Sequence, residues 1–369
     1  MSSTPETPAK MTYRFLGDSG LLVSKVGLGS WMNHDPSYTP ERWFALMKTA
    51  FTHGVNLFDT AENYNDGQSE ALMGAAIQMG IADRTWTRED LVISTKLFGG
   101  SKGTFAAGPN DQGTSRKHLV EGIKSSLKKL QVDYVDVLFC HRSEKFTPIE
   151  ETVRAMNFII NQGWALYWGT SEWSAADISE ARAVADRLGL IRPIVEQPQY
   201  NLFERSKVEF EYADLYKKHR LGLTVWSPLA FGILTGKYNI STPSDSRLAD
   251  PASRSFLPDV EDKIAKTREL QRIADKLGCS LAQLAIAWCV SNPNVSSVLL
   301  GARTSEQLEE TMAAVGLADK LTSEIKAEMD EIVPFIPKKP APDLFYTIRE
   351  RHLHSKNPDQ PEWTRMVKQ

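Results

Sequence analysis

The stretch "SRKHLVEGIKSSLKKLQVDYVDVLFCH", residues 115–141, decides the fold. In its first part Leu119, Ile123, Leu127 and Leu130 recur at helical spacing among Lys, Ser and Glu, so one face is apolar and the other wet. Its last part, "YVDVLFCH", is a short apolar, β-branched run of strand length. A helix feeding directly into a strand is half of a crossover unit, the connection that parallel strands require.

The same alternation fills the chain on either side. Strand-type runs recur at "SKVGLGSW" (24–31), "GVNLFDT" (54–60), "DLVISTK" (90–96), "YVDVLFCH" (134–141), "ALYWGTS" (165–171), "PIVEQPQ" (193–199), "GLTVWSP" (222–228) and "SSVLLGA" (296–302). Between them lie helical patterns such as "ERWFALMKTAFTHG", "ISEARAVADRLG" and "KVEFEYADLYKKH". Eight strand–helix units predict an α/β chain folded as a closed (β/α)8 TIM barrel, which needs about 250 residues, rather than an open doubly wound sheet. "YRFLGDSGLLVSK" (13–25) predicts an N-terminal β-hairpin. The expected layout is a flexible lead over residues 1–12, the barrel over 13–336, and a C-terminal extension over 337–369 that drapes over the mouth or serves assembly. Two long connections rich in Gly, Pro, Ser and Asp, 98–115 and 236–259, follow the third and seventh barrel strands and are expected to wall a pocket.

Composition narrows the function. With 41% hydrophobic and 24% charged residues among 369, and a net charge of -3, the chain reads as an ordinary soluble protein with no basic footprint for nucleic acid. No stretch reaches the ~20 apolar residues of a membrane span, and "LAQLAIAWCV" (281–290) reads as a buried helix, so membrane insertion is not expected. Cys140, Cys279 and Cys289 are an odd, widely spaced set, which argues against a disulfide framework or a zinc site and fits a reducing cytosol. "HLH" (352–354) is too little for a metal site, so no metal is expected.

In a barrel the carboxyl ends of the strands converge on one mouth. Here they present Asp59, with Tyr64 shortly after it, then Lys96 and His141. A helix cap or a solvated strand end explains any one of these; four titratable groups at consecutive strand ends ask for chemistry. A phenol with a pKa near 10 is a poor proton donor at neutral pH, and an adjacent ammonium is expected to pull that value down. Lys96 supplies the charge, Asp59 keeps Lys96 cationic, and His141 can hydrogen-bond a substrate oxygen. No side chain looks activated as a nucleophile, so hydride from a nicotinamide would complete the reaction. Paired carboxylates for glycoside hydrolysis are missing, "SPLAFGILTGK" (227–237) has the wrong spacing for a P-loop, and no G-x-G-x-x-G follows a strand.

The runs "GLGSW", "NLFDTAENY", "STK", "LFCH", "GTSEWS" and "WSPLAFGILTGKY" resemble the aldo-keto reductases from about Tyr13 to Ile336, in detail the branch containing the potassium-channel beta subunits and their microbial and plant relatives. The resemblance implies an NADPH-dependent reduction of an aldehyde or ketone, reversible in principle, with Tyr64 as general acid tuned by Lys96 and Asp59, and His141 orienting the carbonyl. It further implies cofactor contacts from Ser30, Trp31 and Asp59, with Ser171 and Gln197 on the carboxamide and Trp226 stacked on the nicotinamide. Ser227, Pro228, Leu229, Gly232 and Lys237 would wrap the pyrophosphate, joined by Arg247 or Arg254. Gly301, Arg303, Gln307 and Glu310 would meet the adenosine end, Arg303 favouring NADP over NAD. Trp31, Tyr64, His141 and Trp173, with "MNHDPSY" (32–38) at one edge, would line the substrate pocket. Glu172 and Thr311 stand where many members carry Asn, and Gln307 where some branches carry Arg. His141 departs from the Asn usual in animal channel subunits and favours turnover over the alternative of a cofactor-binding regulatory subunit on a channel partner. The resemblance leaves homo-oligomerisation open.

Overall fold

The computed structural model describes residues 11–31, 38–103, 106–243, 246–249, 254 and 258–337, with the side chain of Arg247 also outside the described set. The expected lead before Met11, most of the 32–38 edge, parts of both long connections, and the extension with its 352–354 histidines therefore lie outside the described residues.

Eight parallel strands close into a barrel: β3 (Val26–Gly29), β4 (Leu57–Asp59), β5 (Val92–Leu97), β6 (Val135–Cys140), β7 (Ala165–Ser171), β8 (Val195–Gln197), β9 (Gly222–Val225) and β10 (Val295–Leu300). They are the eight runs read from the sequence. Each pairs with its sequence neighbour, and β10 closes on β3 with Val298 opposite Val26. The helix–strand unit of residues 115–141 folds as its periodicity implies. Helix Arg116–Leu130 starts at Ser115, whose side chain accepts from the His118 N–H, buries Leu119, Ile123 and Leu130, and ends at Gln131 in the left-handed region. Strand β6 follows with every residue buried.

Apolar side chains form two cores. The larger lies between the strands and the surrounding helices and takes in Leu281 and every apolar residue from Leu284 to Val290 of helix Leu281–Val290. The smaller fills the barrel interior near the strand starts, where Leu57, Val92, Val137, Phe139 and Val195 meet Leu16 and Val23 of the antiparallel hairpin β1 (Tyr13–Phe15) and β2 (Leu22–Ser24). The hairpin thus plugs the amino-terminal floor. Gly17, at φ +62°, lets it press close: a Cβ there would stand 2.1 Å from the Ile194 carbonyl oxygen. With the floor sealed, only the carboxyl end of the barrel is left for a site. Cys140, Cys279 and Cys289 are free thiols, and no single helix among the described residues is long and apolar enough to cross a membrane.

Candidate active site

Strand register builds the centre of the site. Asp59 of β4 lies opposite Ser94 of β5, and the two-residue period of a strand turns Ser94 and Lys96 to the same interior side. One Asp59 oxygen accepts from Ser94 Oγ (2.7 Å) and Gln197 Nε2 (3.2 Å); the other pairs with Lys96 Nζ at 2.5 Å. Lys96 Nζ also donates to the Thr60 carbonyl (2.7 Å) and to the Tyr64 hydroxyl oxygen (3.2 Å). An ammonium has three hydrogens, so its fixed geometry is fully used. Tyr64 opens the turn Tyr64–Gly67, in which Asn65 and Asp66 hold left-handed backbones at φ 49° and 52°. Such strain persists only where the surroundings enforce it, and here it lays the Tyr64 ring 4.7 Å from the ammonium. His141, just past β6, is tied through its N–H to the Leu97 carbonyl (3.0 Å), with its ring edge-on to Tyr64 at 5.7 Å. The four groups are thus one contiguous cluster.

Electrostatics then assigns protonation states. Burial opposes the charge on Lys96, but the Asp59 carboxylate and the Tyr64 oxygen more than offset it, and its pKa stands above the ordinary lysine value. Burial, helped by the Arg142 and Lys96 cations, pushes His141 well below 6.5, so its imidazole is neutral. Tyr64 corrects the expectation that its neighbour lowers it. Burial raises its pKa above 10 by more than Lys96 and Arg142 pull it down, with Asp59 adding to the rise. The cause is exclusion of water from a site whose cation is already shared with a carboxylate. The phenol is therefore a fully loaded proton donor at neutral pH, and Lys96 acts on the oxygen only as the proton leaves.

The residues assigned to a cofactor lie around the same mouth. Ser171 of β7 stands opposite Gln197 of β8 and donates to its carbonyl (2.8 Å), while Gln197 Nε2 reaches Asp59 and Thr224 Oγ1 (3.3 Å). Ser30 is buried and bonds Thr60 Oγ1 (2.8 Å). Trp226 is half-buried and meets the edge of Phe231 at 6.4 Å, and Phe231 meets Trp31 at 6.0 Å. Trp31 is 42% exposed, whereas Trp173 is 2% exposed and lines a small cavity with Thr114, Glu144 and Thr147.

After Trp226, Ser227, Ala230 and Phe231 all hold positive φ (55°, 46° and 57°), with Pro228 and Leu229 between them, and Gly232 follows at 93°. A Cβ on Gly232 would stand 3.2 Å from Lys237 Nζ and 3.7 Å from the Tyr238 hydroxyl, a buried group with no hydrogen-bond partner. A cradle of turned backbone, an amine and an orphaned hydroxyl fits a pyrophosphate. Gly301, Arg303 and Gln307 are exposed around the start of helix Ser305–Met312, where Gln307 Oε1 accepts from the Arg303 N–H (3.0 Å), and Glu310 is exposed in its last turn. Arg247 belongs to the turn Arg247–Ala249, and Arg254 is ion-paired with Glu261.

Four features escaped the sequence. Glu62, inside the same acidic run as Asp59 and Tyr64, faces away from the site. It accepts from the Phe98 and Gly100 N–H groups (2.6 and 3.0 Å) and pairs with His118 (2.9 Å), fastening the loop after β5. Arg142, next to His141 in sequence, bonds the His141 carbonyl (2.6 Å) and reaches Ser171 Oγ (3.5 Å). The only signal for it was adjacency to a strand-end histidine. Phe231 and Tyr238 lay inside a recognised run, but nothing local marked the first as the bridge between two tryptophans or the second as an unpartnered hydroxyl.

At the mouth of a TIM barrel the chain thus gathers a carboxylate, an ammonium, a phenol and a neutral imidazole, beside a cradle of turned backbone at 227–232. Residues 25–334 match the aldo/keto reductase family. A protein of Arabidopsis thaliana named "Probable voltage-gated potassium channel subunit beta" is 52% identical over 336 residues, covering 89% of this chain and 99% of that protein. One of the same name from Oryza sativa subsp. japonica is 50% identical over 335 residues, covering 89% and 98%. The chain belongs to the aldo/keto reductase family, and by that membership it is an oxidoreductase of the nicotinamide-dependent kind.

Proposed function

We propose that this protein reduces the carbonyl of an aldehyde or ketone to an alcohol with NADPH, reversibly. The observation that carries the reading is the contact of Lys96 Nζ with Tyr64 Oη at 3.2 Å, made by an ammonium whose other two hydrogens are taken by Asp59 and Thr60. NADPH, when bound, supplies the hydride. Tyr64 holds the proton at Oη and gives it to the carbonyl oxygen, and Lys96 stabilises the phenolate as it forms. The neutral imidazole of His141 donates to the same oxygen and orients it. Gln197 and Ser171 hold the carboxamide, and Trp226 offers a flat face to the nicotinamide ring. The turned backbone at 227–232 with Lys237 holds the pyrophosphate, and Arg303 takes the 2′-phosphate that separates NADPH from NADH. Trp31 and Phe231 suit an apolar or aromatic substrate.

A second reading comes from the names of both relatives: a nicotinamide-binding subunit of a potassium channel. The complete cluster with His141 favours turnover, and one protein can do both. Purified protein mixed with NADPH and nitrobenzaldehyde, followed by cofactor absorbance, tests the reading. Turnover is expected in the parent and is lost by about 10²–10⁴-fold in Tyr64→Phe, the usual share of a general acid. Cofactor binding with no turnover in the parent would overturn the enzyme reading in favour of the subunit.

A further inference from the structure

Glu172 occupies a point where three strand tops meet. It follows β7 directly and holds a left-handed backbone at φ 59°, an uncommon state for a residue with a Cβ. One of its carboxylate oxygens accepts from the Trp226 indole N–H (2.9 Å) and from the Gln199 N–H (2.6 Å). The other is paired with Lys207 Nζ at 2.6 Å, and Lys207 also donates to the Glu172 carbonyl at 2.8 Å. The side chains of Glu172 and Lys207 are only 11% and 18% exposed. The carboxylate is therefore committed: it ties the loop after β9, which carries Trp226, to the loop after β8, which carries Gln199, and is itself braced by Lys207 from the short π-helix Ser206–Glu211.

This geometry gives Glu172 a different task from the Asn common at its position. An amide there could face a carboxamide; this carboxylate is turned to the indole edge. An indole N–H has one donor and a fixed direction in the ring plane, so whatever accepts from it sets the rotation of the ring. Phe231 meets the same ring at 84° from another side. With its edge pinned to Glu172 and Phe231 set against it, the indole plane is fixed before any ligand arrives, and the ordering cost of binding falls.

We propose that Glu172, braced by Lys207, is a positioning residue that holds the indole of Trp226 in the plane on which the nicotinamide stacks. The inference rests on the reading of Trp226 as the nicotinamide platform. Because the latch acts through the indole N–H, it must vanish when that N–H is absent.

A double-mutant cycle tests this on the full-length protein, reading NADPH dissociation constants by titration calorimetry. Glu172→Ala is expected to weaken NADPH binding about tenfold, mid-range for residues in direct contact. In a Trp226→Phe background the same change is expected to cost less than about twofold, since phenylalanine offers no N–H to hold. Glu172→Gln, which keeps an acceptor oxygen, restores most of the affinity. The cofactor KM rises while the carbonyl KM does not. Circular dichroism of each cofactor-free variant separates a loosened latch from a failure to fold, and Lys207→Met gives a second, milder lesion in the same direction. Equal loss from Glu172→Ala with and without the indole, in folded variants, overturns the inference. A parent that binds no NADPH would instead overturn the proposed function, so the two failures are distinct.

Discussion

Replacing Lys96 by Met separates what the buried ion pair does for stability from what it does for chemistry. The side chain of Lys96 is 0% exposed and that of Asp59 4%, so water cannot compensate for the missing charge. Lys96→Met leaves the Asp59 carboxylate with only Ser94 Oγ and Gln197 Nε2, and leaves the Thr60 carbonyl and the Tyr64 hydroxyl oxygen without their donor. Removing one partner of a buried pair costs about 3–5 kcal/mol, because the remaining charge is stranded. Replacing both partners with neutral groups is far milder, so Lys96→Met/Asp59→Asn is expected to recover most of that loss. Turnover should not recover with it. Burial already holds Tyr64 above its ordinary pKa with Lys96 in place; without the ammonium nothing in hydrogen-bond contact offsets a developing phenolate. The expected fall in kcat is about 10²–10⁴-fold in both variants. Urea unfolding gives the stability and single-turnover oxidation of bound NADPH gives the rate. Turnover within about threefold of the parent in either variant, against the range expected of acid catalysis, would refute the argument.

Three further outcomes follow from the same geometry. Because His141 is already neutral well below pH 6.5, the reduction rate should not fall as pH is lowered through that value; an acid limb there that disappears in His141→Asn would contradict its assigned state. Glu196, bonded by Thr170 and close to Lys207, has its pKa raised to about 8 by burial. Between the unfolded value of 4.5 and about 8 the folded chain binds the extra proton. This group therefore makes stability fall with rising pH at about 1.4 kcal/mol per unit. Denaturant unfolding across that range should show a shallower fall in Glu196→Gln; an unchanged slope would count against a buried neutral acid. Gly74→Ala, which in an open helix would gain about 1 kcal/mol, should instead cost about 1–3 kcal/mol. The new Cβ would stand 2.3 Å from the Lys129 carbonyl oxygen, and a thermal melt showing equal or higher stability would disprove so close an approach.

The residues themselves show how far a sequence reaches. Asp59, Lys96 and His141 were legible because strand ends in a parallel barrel share one mouth, so position along a strand is position in space. Glu62 was not, although it shares a run with Asp59 and Tyr64. Its partner His118 lies on the helix Arg116–Leu130, far along the chain, and only the packed barrel turns Glu62 toward it. Glu172 stood out as an unusual residue in a familiar run. That it grips an indole rather than faces a ligand depends on Lys207 and Gln199, which arrive from other connections.

By itself the sequence determined the barrel, the order of its strands, the hairpin and the identity of the four mouth residues, because each rests on local periodicity and on where a strand stops. Tertiary structure alone decided the charge and acidity of those residues. Lys96 keeps its proton because Asp59 is at 2.5 Å, His141 stays neutral because it is buried beside the Arg142 and Lys96 cations, and Tyr64 is less acidic than its neighbours suggested. Those balances depend on how completely distant elements exclude water, and exclusion is a property of the closed, plugged barrel that no single segment carries.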